Sequence, residues 1–307
     1  MTASDSGETL ARLRRELAAS ETPSWTTLRD YLEQVRLLRL RDTERVVQYG
    51  TQLLDKHSRK LEPEELWEVH EQVAIAAMEA GCKELALRLV KNVNKRFPSG
   101  TRGSRLTGMY FELLGSFVEA EQLYQKELEN DPTNAMVLKR MVAVKRGQGD
   151  LAGAAELLKG YLGGQGATDW LAWEEAADLY LQLQMYQQAA FCLEELLLHQ
   201  PADPARHLLY ADTLYTLGGA HNWRTARAYY SGVIEMTKGR STRALYGVCA
   251  CAAQLAGLRR GGGGGGGEED GSDVARLAAE ALRQQYALHC PDKLPLVRGM
   301  LRAQGLL

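Results

Sequence analysis

The stretch "RLTGMYFELLGSFVEAEQLYQKELENDPTN", Arg105 to Asn134, decides the fold. Its apolar residues recur at helical spacing, and Gly115-Ser116 interrupts them. That pattern predicts two short amphipathic helices joined by a tight turn. Gly108 and Ala120 stand twelve apart, and Pro132 follows after another twelve. Nothing in the stretch has the chemistry of a nucleophile or a metal ligand.

The same arrangement recurs on both sides. Small residues early in each second helix are Ala86, Ala120, Ala154, Ala189 and Ala226, at intervals of 34, 34, 35 and 37. Twelve residues before the first four stand Ala74, Gly108, Val142 and Ala177. Ala211 precedes Ala226 by fifteen, because "GGAHNW" is expected to lengthen that turn. Pro98, Pro132 and Pro201 each follow their alanine by twelve. Aromatics keep the phase as well: Trp67 and Trp173 near first-helix starts, Tyr124 and Tyr230 four after the alanine. Two antiparallel helices approach closely only where one side chain is small. Proline then ends the second helix and redirects the chain. A helix pair of this period is the tetratricopeptide repeat, TPR. Strand signals are nearly absent. The expected fold is therefore all-α, a right-handed superhelical TPR solenoid of antiparallel helix pairs.

The expected organisation has four parts. Residues 1–23 form an N-terminal tail with some helix, and 24–257 the solenoid. Residues 258–272 are a flexible Gly-rich acidic loop, and 273–307 are C-terminal helices closing the solenoid end. Within the solenoid, Ser24 is the expected N-cap of a degenerate first pair over 24–57. The segment Ser241 to Gly257 is expected to pair with the helix after Ser272. End repeats are atypical because one face meets water.

Composition narrows the function. The 307 residues are 45% hydrophobic and 25% charged, as in soluble folded proteins. A net charge of -2 provides no global basic field for nucleic acid or anionic lipid. The five cysteines, Cys82, Cys192, Cys249, Cys251 and Cys290, fit no disulfide framework and point to a reducing compartment. The N-terminus lacks an apolar signal-peptide core. The best apolar runs, such as Val73 to Met78, fall far short of a membrane span.

Catalytic and metal readings fail on chemistry. "HEQVA" at His70 opens like a zinc-protease helix, but the second histidine position is Ala74. Cys249 and Cys251 are two apart and face different sides of a helix. The glycine run after Gly261 matches a phosphate-loop pattern trivially, with no strand before it. It reads as a linker. Glu174-Glu175 and Glu194-Glu195 read as surface charge. No catalytic residue, cofactor or metal is expected.

Partner binding is better supported. In a TPR array the first helices line a groove. The groove positions at i, i+4, i+7 are Glu71, Ile75, Met78, then Arg105, Met109, Glu112, then Lys139, Ala143, Arg146, then Glu174, Asp178, Leu181, with Arg140 adding charge at the centre. The expected groove is acidic, then basic, then acidic, which suits a long partner with charges of its own. The alternative is a free cytosolic TPR cochaperone or adaptor binding peptide tails. Chaperone-tail clamps use Lys and Asn, where the first repeat here has Glu71 and Ile75.

Several stretches carry a closer likeness. "RLTGMYFELLGSFVEAEQLYQKELENDPTNAMVLKR", "YQQAAFCLEELLLHQP" and "WEVHEQVAIAAMEAGCKELALRLVKNVNKRFPSG", with "YTLGG" and "RALYGV", resemble the endoplasmic reticulum (ER) membrane protein complex subunit 2 family. The likeness runs in phase from Trp67 to Val248. It implies a non-catalytic scaffold, peripheral on the cytosolic face of the ER membrane. The implied partners are soluble cytosolic subunits and the cytosolic ends of membrane-spanning subunits. The assembly so formed inserts tail-anchored and some multipass membrane proteins.

Overall fold

The computed structural model describes residues 3–20, 22–98, 100–260 and 272–307. All regular structure among them is helical. The chain forms two compact units, residues 1–150 and 151–307.

The first unit holds α1 (Ala3–Ala19), α2 (Trp25–Leu37), α3 (Thr43–His57), α4 (Pro63–Glu79), α5 (Lys83–Arg96), α6 (Thr101–Leu114), α7 (Phe117–Asn130) and α8 (Ala135–Gly147). Consecutive helices pack on each other as the repeat requires. A 17-residue helix, α1, occupies most of the expected tail. Its Leu10, Leu13 and Leu17 fall at spacings of three and four and are buried in the core of the unit. Ser24 caps α2 by accepting from the Thr27 N–H at 3.1 Å.

The second unit holds α9 (Leu151–Leu162), α10 (Trp170–Gln182), α11 (Tyr186–His199), α12 (Pro204–Leu217), α13 (Ala220–Met236), α14 (Thr242–Arg260), α15 (Ser272–His289) and α16 (Leu294–Ala303). The expected partner of α14 is indeed α15. The Gln285 amide ties them, donating to the Gly239 carbonyl at 2.7 Å and accepting from Thr242 at 3.0 Å. Helix α14 continues through Leu258 to Arg260, the residues expected to begin the Gly-rich loop. The glycine run itself lies outside the described residues.

The small residues sit where close packing needs them. Ala86, Ala120, Ala154, Ala189 and Ala226 are completely buried, and so are Ala74 and Ala211, with Ala177 nearly so. At Gly108 the reason is explicit, because a Cβ there would overlap the buried Tyr124 ring of α7. Gly247 of α14 meets the Tyr230 ring in the same way. Pro132 and Pro201 are exposed, in the turns after α7 and α11. The next helices start on side-chain caps. Asn134 accepts from the Val137 N–H at 3.3 Å, and Asp203 from the Ala205 N–H at 2.9 Å.

A second periodic signal lies in the turns. Gly81, Gly115, Gly149, Gln184 and Gly218 all have positive φ, at intervals of 34, 34, 35 and 34. The next residue closes a six-residue ring: Cys82, Ser116, Asp150 and Met185 each donate their N–H to the carbonyl five residues back. This is the Schellman helix ending, which needs a left-handed residue. The first four turn residues precede their alanine by five, and Gly218 precedes Ala226 by eight. The extra three residues therefore lie after the turn. The expected long turn is instead two glycines, both at positive φ, followed by a longer α13 of 17 residues. Asn222 and Trp223 hold this added turn of helix, donating to the Gly218 and Tyr215 carbonyls.

Candidate partner-binding surfaces

First helices of neighbouring pairs run side by side, so their charged residues meet across the gap. Glu71 of α4 pairs with Arg105 of α6, and with Arg102 Nε at 2.8 Å. Glu112 of α6 accepts from Arg140 of α8 through both oxygens, with Nε at 3.1 Å from Oε1. In the second unit Glu174 of α10 meets Arg206 of α12 at 3.3 Å. Asp212 of α12 meets Arg243 of α14 at 2.6 Å. One acid on a first helix and one arginine on the next is thus a recurring device. The Glu174–Arg206 and Asp212–Arg243 pairs each have one well-exposed partner and contribute about 0–1 kcal/mol. In the more buried Glu71–Arg105 and Glu112–Arg140 pairs, desolvation offsets much of the attraction. Burying one leucine contributes about 2 kcal/mol. Packing therefore holds the helices together, while the charges set which positions face each other.

Two of these acids also anchor buried tyrosines. The Tyr124 hydroxyl donates to Glu112 at 2.7 Å, and the Tyr230 hydroxyl to Asp212 at 2.6 Å. A third set joins Tyr31, Asp42 and Arg14 near the N-terminus, at 2.7 and 2.6 Å. Burial, and then the carboxylate, raise each tyrosine's pKa above the ordinary range, so these hydroxyls stay protonated donors. Asp42 shows the converse. Burial disfavours its charge, but hydrogen bonds from Tyr31 and Arg14, with the Arg14 and Arg45 charges, hold it below its usual value.

The expected groove residues therefore divide. Glu71, Arg105, Glu112 and Arg140 are brought together in the first unit, largely paired with one another. Lys139 and Arg146 are half-exposed on α8, and each has an interacting partner. Met109 is half-buried against the core, as is Ile75. Met78, expected on the groove wall, is buried in the core. In the second unit Glu174 and Asp178 are exposed on α10, and Asp178 accepts from Gln182 one turn on. The sequence reading missed Arg102. It stands three residues before Arg105, on the same helix face, and that spacing was the available signal.

Two pockets stand out. In the first unit, α4, α6 and α8 enclose about 470 Å³ lined by Glu71, Thr101, Arg102, Arg105, Asn134 and Met136. In the second, α9, α10 and α11 enclose about 510 Å³ walled by Leu162, Trp173, Ala176, Tyr180 and Phe191. There the Trp173 and Phe191 rings meet edge to face at 5.9 Å, and the indole N–H is tied to the Ala167 carbonyl at 2.8 Å. Cys192 lines the same pocket. Burial, helped by Glu195, pushes its thiol up to about 12, so it is no nucleophile at neutral pH. His70 is tied through Nδ1 to the Leu66 carbonyl at 2.8 Å and lies against Trp67. Among the described residues no three His, Cys, Asp or Glu side chains come together as metal ligands. None of the helices described is long and apolar enough to cross a membrane.

Relatives decide the family. The ER membrane protein complex subunit 2 of Xenopus tropicalis is 35% identical over 233 residues, covering 76% of this chain and 77% of its own. The chain belongs to the ER membrane protein complex subunit 2 family. Its Dictyostelium discoideum counterpart is 30% identical over 214 residues, covering 69% of this chain and 66% of its own. The family model described as the EMC2 TPR-like repeat domain matches residues 84–223. That span takes in the Gly108–Tyr124 contact, the Glu112–Arg140 pair and the aromatic pocket. Among solved structures, the C-terminal part of a TPR repeat-containing protein from Cytophaga hutchinsonii aligns with a TM-score of 0.54. It is 14% identical and covers 85% of this chain and 95% of that one, a likeness of fold alone. The TPR fold expected from the repeat is thus the fold observed.

Proposed function

We propose that this chain is a non-catalytic TPR scaffold subunit of an ER membrane protein complex. It sits peripherally on the cytosolic face of the ER membrane. There it holds soluble cytosolic subunits and the cytosolic ends of membrane-spanning subunits of an insertase for tail-anchored and multipass proteins. The observation that carries this reading is family membership across three quarters of the chain, on a fold whose repeated small residues serve helix packing. The mechanism is binding alone. Stacked helix pairs present long surfaces, and partners supply membrane contact and chemistry. Exposed Leu277, Leu288 and Leu296 on the last two helices give apolar area for such partners. The candidate contact residues are Arg105, Met109, Lys139, Arg140 and Arg146 in the first unit and Glu174 and Asp178 in the second.

The test is retrieval of the tagged full chain from detergent-solubilised ER membranes, read by mass spectrometry. The expected result is stoichiometric recovery of the other subunits of the complex. Recovery only from the soluble fraction, without them, overturns the proposal.

A further inference from the structure

Arg105 is held in place but incompletely used. Its side chain is only 16% exposed. One terminal nitrogen pairs with Glu71, and the other points at the Met136 sulfur, a weak acceptor, at 3.4 Å. Its Nε is buried and has no hydrogen-bond partner. Glu71 must also serve Arg102, so two guanidinium forks share one carboxylate. The pocket they line carries one positive charge more than Glu71 can neutralise. Burial and the nearby Arg140 both act against the Arg105 charge, so a further anion would relieve it. Met136, 57% exposed, forms an apolar wall beside these donors. An arginine pair with unfilled donor positions is complementary to a carboxylate, which it binds by two parallel hydrogen bonds.

We infer that the pocket between α4, α6 and α8 receives an acidic side chain from within a partner protein segment. Arg105 and Arg102 act as the carboxylate anchors, and Met136 takes an adjoining apolar residue. This rests on the reading of the chain as a partner-binding scaffold and adds the chemistry of one contact. The pocket of the second unit is lined mainly by apolar and aromatic side chains, its one cation, Lys159, is paired with Glu156, and it takes no part in this contact.

The test uses the purified full chain and a short fluorescein-labelled peptide alternating glutamate with leucine, acetylated and C-terminally amidated. The blocked end removes any terminal carboxylate. A glutamine version is the control. Fluorescence anisotropy should show the glutamate peptide binding about tenfold tighter than the glutamine peptide, and more weakly as salt rises. Arg105→Gln and Arg102→Gln should each remove most of that difference. Arg102 is partly exposed, so its variant keeps the test sound if the Arg105 variant proves unstable. Glu71→Gln should act in the opposite sense. By freeing both arginines it should tighten the glutamate peptide severalfold, a gain that no purely structural role predicts. Equal binding of the two peptides, no binding of either, or arginine variants that leave the difference intact would each overturn the inference. If the peptide arms fail while the tagged chain still retrieves the ER complex, only the pocket assignment falls. If retrieval fails and the peptide behaves as expected, the scaffold reading falls and the pocket stands.

Discussion

The two pockets are nearly equal in volume and opposite in chemistry. The first-unit pocket lies among first helices and is walled by two arginines around one glutamate. The second-unit pocket lies between the first helix α10 and the second helices α9 and α11 and is walled by Trp173, Tyr180 and Phe191. Both grow from the same repeat, with the same small residues at the helix crossings. The repeat therefore constrains the crossings and leaves the walls free to differ. A charged wall gives contacts that weaken with salt and discriminate by sign. An aromatic wall gives area-driven contacts with little dependence on salt.

The largest expected effect separates core from wall. Tyr124→Ala empties the space beside Gly108 and strips Glu112 of a donor, so it should cost about 3–5 kcal/mol. Phe191 is 55% exposed in the aromatic wall. Phe191→Ala should cost less than about 1 kcal/mol while abolishing whatever binds there. Urea unfolding of both variants checks this, and equal losses would erase the distinction between the two positions. The opposite change, Gly108→Leu, drives a side chain into the Tyr124 ring and should cost about 1–3 kcal/mol.

A middle-sized effect is expected in acid. Asp42 has a lowered folded pKa, so its contribution is complete above the unfolded value near 4. It is lost as pH falls below that, through the depressed folded value. Melting temperature measured between neutral pH and about pH 3 should drop more steeply for the native chain than for Asp42→Asn. Parallel curves would show that the Tyr31–Asp42–Arg14 set adds nothing to the first unit.

The smallest effect belongs to the turn of the second unit. Gln184 occupies a left-handed position that glycine holds in the other four periodic turns. Gln184→Gly should raise stability by up to about 1 kcal/mol, seen as a small upward shift in melting temperature. A loss would mean that the glutamine side chain contributes more than its backbone strain costs.

Much of this was legible in residue order alone. The 34-residue period, the alanines and glycine at the crossings, and the prolines in the turns are local signals, because each repeat has to bury the same face. The positive-φ turn residues were equally visible as a glycine period at 81, 115 and 149, five before each alanine. Residue order locates the added residues of the last long repeat but predicts a longer turn, where the structure has a longer helix. Asn222 and Trp223, bonding back across Gly218 and Gly219, hold them as helix.

The charged groove is where residue order ran out. Reading positions i, i+4 and i+7 puts Glu71, Arg105, Glu112 and Lys139 on one face, with Arg140 beside them, and the sign pattern implies acidic ends and a basic centre. The structure instead turns Glu71 and Glu112 toward the arginines of the next helix. Helical spacing places a side chain on a face. Which partner it meets depends on the distance to a helix some thirty residues away, on rotamer, and on burial. The sequence by itself thus determined the repeat and its crossings, because those depend on local periodicity and on residue size, and its likeness to relatives determined the family. Only the tertiary structure decided which charges are consumed internally and that Arg105 keeps donors to spare.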